Sequence, residues 1–161
     1  MIKHLRIDNR LIHGQVAVAW AKYINAKAII VCNDKVAVDP IQKMALPLAA
    51  PGNKILVLSI ADLVEYEKAH PEESLFVIAK FPSDALEILD KITGIAAVNV
   101  GNAAPRPGTK YKMVTQSIAV TAEDAGVYRQ VAEKIGGKLT TQMMPSNEPQ
   151  DFLALLKKAR L

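Results

Sequence analysis

A doubly wound α/β sheet is predicted for this chain, mainly parallel, with about seven strands and about six helices on both faces. Three features point there. Strand-like and helix-like segments alternate along the whole sequence with short punctuation between them. Ala28 to Cys32 is an uninterrupted apolar run, as in a parallel strand buried on both faces. Capping residues stand just after several strands, at Asp39-Pro40, at Ser59 with Asp62, and at Thr121 with Asp124. The 161 residues read as a single domain, 1–161, with no internal repeat or long linker.

The elements follow in order. Ile2, Leu5 and Ile7 mark a first strand; Val16, Ala19, Trp20, Tyr23 and Ile24 then recur at helical spacing. After the strand at Ala28 to Cys32, Asp39 caps a helix with Ile41, Met44, Ala45 and Leu48 on its expected buried face; Pro47 shortens it and Pro51-Gly52 ends it. Ile55 to Leu58 is a strand, followed by a helix carrying Leu63, Val64 and Tyr66. Ser74 to Ala79 is a strand, and Ser83 is expected to cap the helix of Ala85, Leu86, Ile88, Leu89 and Ile92. Ala96 to Val100 is a fifth strand and Met113 to Val120 holds a sixth. Val127, Val131 and Ile135 mark a helix closed by Gly136-Gly137. Leu139, Thr141 and Met143 alternate with polar residues as an edge strand, and Phe152, Leu155, Leu156 and Ala159 form a last helix.

Chemistry concentrates between the first strand and the first helix, in Arg6-Ile7-Asp8-Asn9-Arg10-Leu11-Ile12-His13-Gly14-Gln15-Val16. Strand ends of α/β sheets are where such proteins place ligands. A histidine just before a helix lies beside unpaired backbone N–H groups and the positive end of the helix dipole, which suit phosphate. An imidazole nitrogen can attack phosphorus and carry the phosphoryl group covalently. Arg6 and Arg10 could supply planar charged forks to its oxygens, and Asp8 could hold an arginine by a charge-assisted pair. Gly14 leaves room for a phosphate or a partner's backbone. Exposed charges contribute little to stability, so replacing either arginine is expected to leave melting near wild type. His4, in the strand, is expected to be structural, and His70 a solvated loop histidine. Lys80 and Phe81 leave the fourth strand at the same kind of edge as His13.

This string resembles the signature of the IIB components of the mannose/fructose/sorbose family of the bacterial phosphoenolpyruvate-dependent sugar phosphotransferase system, Arg-[Ile/Val]-Asp-[Asp/Asn/Glu]-Arg-Leu-[Ile/Val]-His-Gly-Gln-Val near the N-terminus. The resemblance implies that His13 is the phosphohistidine, through Nδ1, assisted by Arg6 and Arg10. It implies a protein-N(pi)-phosphohistidine–sugar phosphotransferase that takes the group from a IIA component and passes it to a hexose or amino sugar held by membrane IIC and IID components. Asn99-Val100-Gly101-Asn102 is similar to the N-acetylgalactosamine and galactosamine branch, which usually continues with Met where this chain has Ala103.

Composition narrows the alternatives. A net charge of +4 with 5% aromatics lacks the dense basic stripe of a nucleic-acid binder. Cys32 is the only cysteine, so no disulfide framework or zinc pattern is expected, and the three histidines have no metal-ligand spacing. No cofactor motif is present. The N-terminus lacks a long apolar region, and no apolar run approaches the roughly 20 residues that span a bilayer. The expectation is a cytoplasmic protein that meets the membrane only through partners. The competing reading is a non-catalytic Rossmann-type phosphate- or nucleotide-binding module, but neither Gly-x-Gly-x-x-Gly nor Gly-x-x-x-x-Gly-Lys-[Ser/Thr] occurs.

Overall fold

The computed structural model describes residues 1–161. Five strands, β1 (Ile2–Asp8), β2 (Ala28–Cys32), β3 (Ile55–Leu58), β4 (Leu75–Ala79) and β5 (Val98–Asn102), form the parallel body of one sheet. Short strands β8 (Thr140–Thr141) and β9 (Gln150–Asp151) extend it to seven, in the order β3-β2-β4-β1-β5-β8-β9, with β9 antiparallel at the edge. The chain begins in the middle of the sheet, so β1 is flanked by β4 and β5. A separate antiparallel hairpin, β6 (Tyr111–Thr115) and β7 (Ile118–Thr121), replaces the single sixth strand expected over Met113 to Val120. The edge expected over Leu139 to Met143 shrinks to the two residues of β8.

Seven α-helices are present: α1 (Gly14–Tyr23), α2 (Asp34–Ala37), α3 (Pro40–Ala45), α4 (Ile60–Ala69), α5 (Pro82–Lys91), α6 (Ala122–Lys134) and α7 (Phe152–Lys158). The unexpected one is α2, a single turn that Asn33 opens by accepting from Val36 N at 3.0 Å. Ser59, Thr121 and Asp39 cap α4, α6 and α3 as expected. Ser83 does not cap α5: Pro82 takes the first position, and Asp84 Oδ2 reaches back to accept from Phe81 N at 3.0 Å.

Period-two alternation sends side chains to two cores. Leu75, Val77 and Ala79 pack with α4, α5, α6 and α7; Phe76 and Ile78 pack with α1 and α2. In β1, Leu5 and Ile7 join the first core, which points His4, Arg6 and Asp8 towards the α1 side. Three helix faces differ from expectation. α1 buries Ala17, Trp20 and Ala21 and leaves Tyr23 exposed, and α6 turns Ala125, Tyr128, Val131 and Ala132 inward. α3 buries nothing. With the 3-10 turn that follows it (Leu46–Ala49), α3 shows Ile41, Met44 and Leu48 to solvent.

Candidate active site

The site starts at the C-terminal end of β1. Leu11 N donates to Asp8 O at 3.0 Å, closing a tight turn. Leu11 itself has φ +64°, a left-handed conformation that costs a branched residue roughly 1 kcal/mol or more. Its side chain and that of Ile12 are buried in the α1-side core, which offsets that strain. With Leu11 and Ile12 anchored inward, His13 emerges exposed, as the N-cap residue of α1. Its carbonyl accepts from Val16 N at 2.8 Å, and its side chain makes no capping bond. The first N–H groups of α1, which have no intrahelical acceptor, therefore stand beside a free imidazole.

Asp8 is almost fully buried and is held by four donors. Oδ1 accepts from Arg10 N at 3.0 Å and Arg10 Nε at 3.2 Å, and Oδ2 accepts from Arg10 Nη2 at 3.1 Å and Arg6 Nε at 3.4 Å. The Arg10 guanidinium thus lies side-on against the carboxylate, its side chain 27% exposed and its Nη1 without a protein acceptor.

Beneath this pair runs a buried polar layer. Arg6, 1% exposed, donates through Nη1 to Gln142 O at 2.9 Å and lies 5.8 Å from the Trp20 ring centroid. Burial pushes its guanidinium below its ordinary value, and the Asp8 carboxylate opposes that shift. Gly101 makes room for it: a Cβ there would fall 2.1 Å from Arg6 Cζ. His4 stacks on Trp20 at 4.4 Å, and its Nε2 lies 2.8 Å from Asn99 Oδ1. Desolvation pulls His4 down to about 4, so it is neutral and donates from Nε2 to Asn99. Asn99 Nδ2 donates to Gln142 O at 3.0 Å and Trp20 Nε1 to Met143 O at 2.9 Å. Arg6, Asn99 and Trp20 pin Gln142–Met143 against the loop after β1, and the Met143 sulfur sits 3.7 Å from both Arg6 Nη2 and Arg10 Nη2.

A family model described as "PTS system sorbose subfamily IIB component" matches residues 2–161. The sorbose-specific EIIB component of Klebsiella pneumoniae is 36% identical over 92% of this chain and 90% of its own length. The crystal structure of the IIBSor domain of the Klebsiella sorbose permease superposes with a TM-score of 0.88 at 34% identity, over 98% of this chain and 97% of that one. This chain belongs to the sorbose-subfamily IIB components of the sugar phosphotransferase system. A further relative, the mannose-specific EIIAB component of Escherichia coli, is 30% identical over 95% of this chain, which spans 47% of that longer protein.

Family membership does not favour the competing Rossmann-type binding module. His13 and Arg10 both reach solvent in the loop after β1, where Arg10 is anchored on the buried Asp8, but Arg6 does not join them. The expectation that both arginines are exposed is corrected for Arg6, because strand alternation turns it under α1. Gly14 is not demanded by local packing, since a Cβ would stand 3.7 Å from Ala49 O, an ordinary contact. Lys80 and Phe81 lie beyond β4, where Lys80 Nζ and Arg106 Cζ each stand 5.3 Å from the Phe81 ring centroid. Asn102 follows Gly101 at the end of β5; its amide donates to Ser117 O at 3.1 Å and accepts from Arg10 Nε at 3.2 Å. Asn99, Trp20, Gln142 and Met143 were missed by sequence reasoning as parts of the site. A lone tryptophan on the first helix and a glycine inside a strand were the signals available. No helix is long and apolar enough to cross a membrane.

Proposed function

We propose that His13 accepts a phosphoryl group from a phosphohistidine on a IIA component and delivers it to a hexose or amino sugar held by membrane IIC and IID components. In the first step the Nδ1 lone pair of His13 forms an N–P bond while the donor's N–P bond breaks, its electron pair returning to the donor ring. In the second, a sugar hydroxyl oxygen bonds phosphorus, the His13 N–P pair returns to the imidazole, and the hydroxyl proton leaves to a base at the sugar site. Phosphoryl transfer needs in-line positioning and charge neutralisation more than acid–base chemistry. Arg10 Nη1 and the first N–H groups of α1 supply donors for the phosphoryl oxygens, Asp8 sets the Arg10 fork, and Gly14 leaves the approach open. Arg6 supports the loop from below. The protein works in the cytoplasm and reaches the membrane through its partners.

The observation that carries this reading is an exposed imidazole at a helix N-terminus, in the same short loop as an arginine locked to a buried carboxylate. The test is labelling by phosphorylated IIA. His13→Ala is expected to take up no label while melting as wild type, since the residue is exposed. Normal labelling of that variant, or label mapped to His4 or His70, overturns the assignment.

A further inference from the structure

The apolar face of α3 and the 3-10 turn meets nothing in the fold. Val38 and Ile41 are each 79% exposed, Met44 75% and Leu48 73%. Single exposed apolar residues are ordinary, but four large ones on one short stretch mark an interaction surface. This stretch also abuts the site. Ala49, next to Leu48, places its carbonyl against Gly14, and a groove between Val18 of α1 and the Ala49–Pro51 turn begins at Gly14, the residue after His13. An apolar path therefore runs from His13 across the groove to α3.

We propose that this path is the docking surface for the phosphohistidine-bearing IIA domain that loads His13; the proposal rests on the phosphocarrier reading above. Transfer between two imidazoles requires the reacting atoms to come within roughly 3.5 Å, so the donor's surface must cover the ground beside His13. That ground is the groove at Gly14. The rim of the path is basic. Lys22, Lys35 and Lys43 form no ion pair within the chain, and the nearby Asp39 carboxylate is occupied with Ile41 N, Gln42 N and Gln42 Nε2. Such a rim favours a partner with acids around an apolar centre. It disfavours the membrane components, whose cytoplasmic loops carry an excess of Lys and Arg.

The test uses the full chain with Met44→Asp and Leu48→Asp combined, both at exposed positions, with Met113→Asp on the exposed hairpin as control. Loading from phosphorylated IIA is expected to lose at least tenfold in kcat/KM, through KM, with the maximal rate retained. Labelling by phosphoramidate, a small donor that needs no docking, is expected at the wild-type rate in every variant, and the control is expected to load normally. Wild-type loading by the double variant overturns the docking surface while leaving the phosphocarrier intact. So does normal loading combined with impaired transfer to sugar in membranes containing IIC and IID, which assigns the face to the acceptor. If phosphoramidate and phospho-IIA both fail to label His13 in the wild-type chain, the phosphocarrier reading falls, and the docking surface falls with it.

Discussion

Arg10 Nη1 points away from Asp8 while Nε and Nη2 stay on the carboxylate, so this guanidinium can meet a phosphoryl oxygen without giving up its anchor. Lysine keeps the charge but loses the fork. Arg10→Lys is expected to retain measurable transfer from phospho-IIA, and Arg10→Ala to lose on the order of 10² or more if the contact acts in the transition state. Quenched-flow measurement separates them; equal, near-normal rates would show that Arg10 is a surface charge. Arg6 calls for a different experiment. Removing one partner of a buried ion pair costs roughly 3–5 kcal/mol. Arg6→Ala is therefore expected to lower the melting temperature clearly, and a melt superimposable on wild type contradicts the buried role. His4 adds a pH dependence. Its pKa falls from 6.5 to about 4 on folding, so the unfolded chain binds the proton first as pH drops. Its contribution is fully present above about pH 6.5 and is lost between there and about pH 4, on the order of 3 kcal/mol in all. In denaturant titrations across that window, His4→Gln should lose stability less steeply than wild type; parallel curves would remove His4 from the acid limb.

Between elements, β5 and β1 fit together only because Gly101 has no side chain. A Cβ at that position overlaps the Arg6 guanidinium, which Asp8, the Gln142 carbonyl and Trp20 hold in place. Gly101→Ala is expected to cost about 3 kcal/mol and to displace Arg6, unpinning the Gln142–Met143 segment from the loop after β1. Thermal melts beside loading rates check this. Wild-type values for both would show that Arg6 has another place to go. The turn at Leu11 works by the same economy of position: its strained φ is held by two buried side chains, and the exposure of His13 is the consequence.

Taken as one body, the sheet gathers the site from distant stretches of chain: β1 and the start of α1, the end of β5, and the segment after β8. This assembly leaves His13 and part of Arg10 open to solvent, and no helix is long and apolar enough to cross a membrane. The purified chain alone is accordingly expected not to phosphorylate free sugar, and membranes containing IIC and IID are expected to restore transfer once phospho-IIA is supplied. Rapid sugar phosphorylation by the chain in solution would argue for an ordinary kinase in place of a relay.

Much of this was legible before any coordinates. Ala28–Cys32 and Ile55–Leu58 announced themselves because a strand covered on both faces must be apolar throughout. Ser59, Thr121 and Asp39 announced helices because the first N–H groups of a helix need acceptors. The run from Arg6 to Val16 gathered two arginines, an aspartate and a histidine at the end of β1, since residue type and order are local properties. Partnership between distant segments is not local. α3 carries an inward-looking pattern, yet nothing covers it, because periodicity says which residues share a face and not what that face meets. Arg6 and Arg10 look equivalent in the motif. Strand alternation sends one under Trp20 and the turn after Asp8 leaves the other open, a distinction that depended on α1, β5 and Gln142 arriving from elsewhere in the chain.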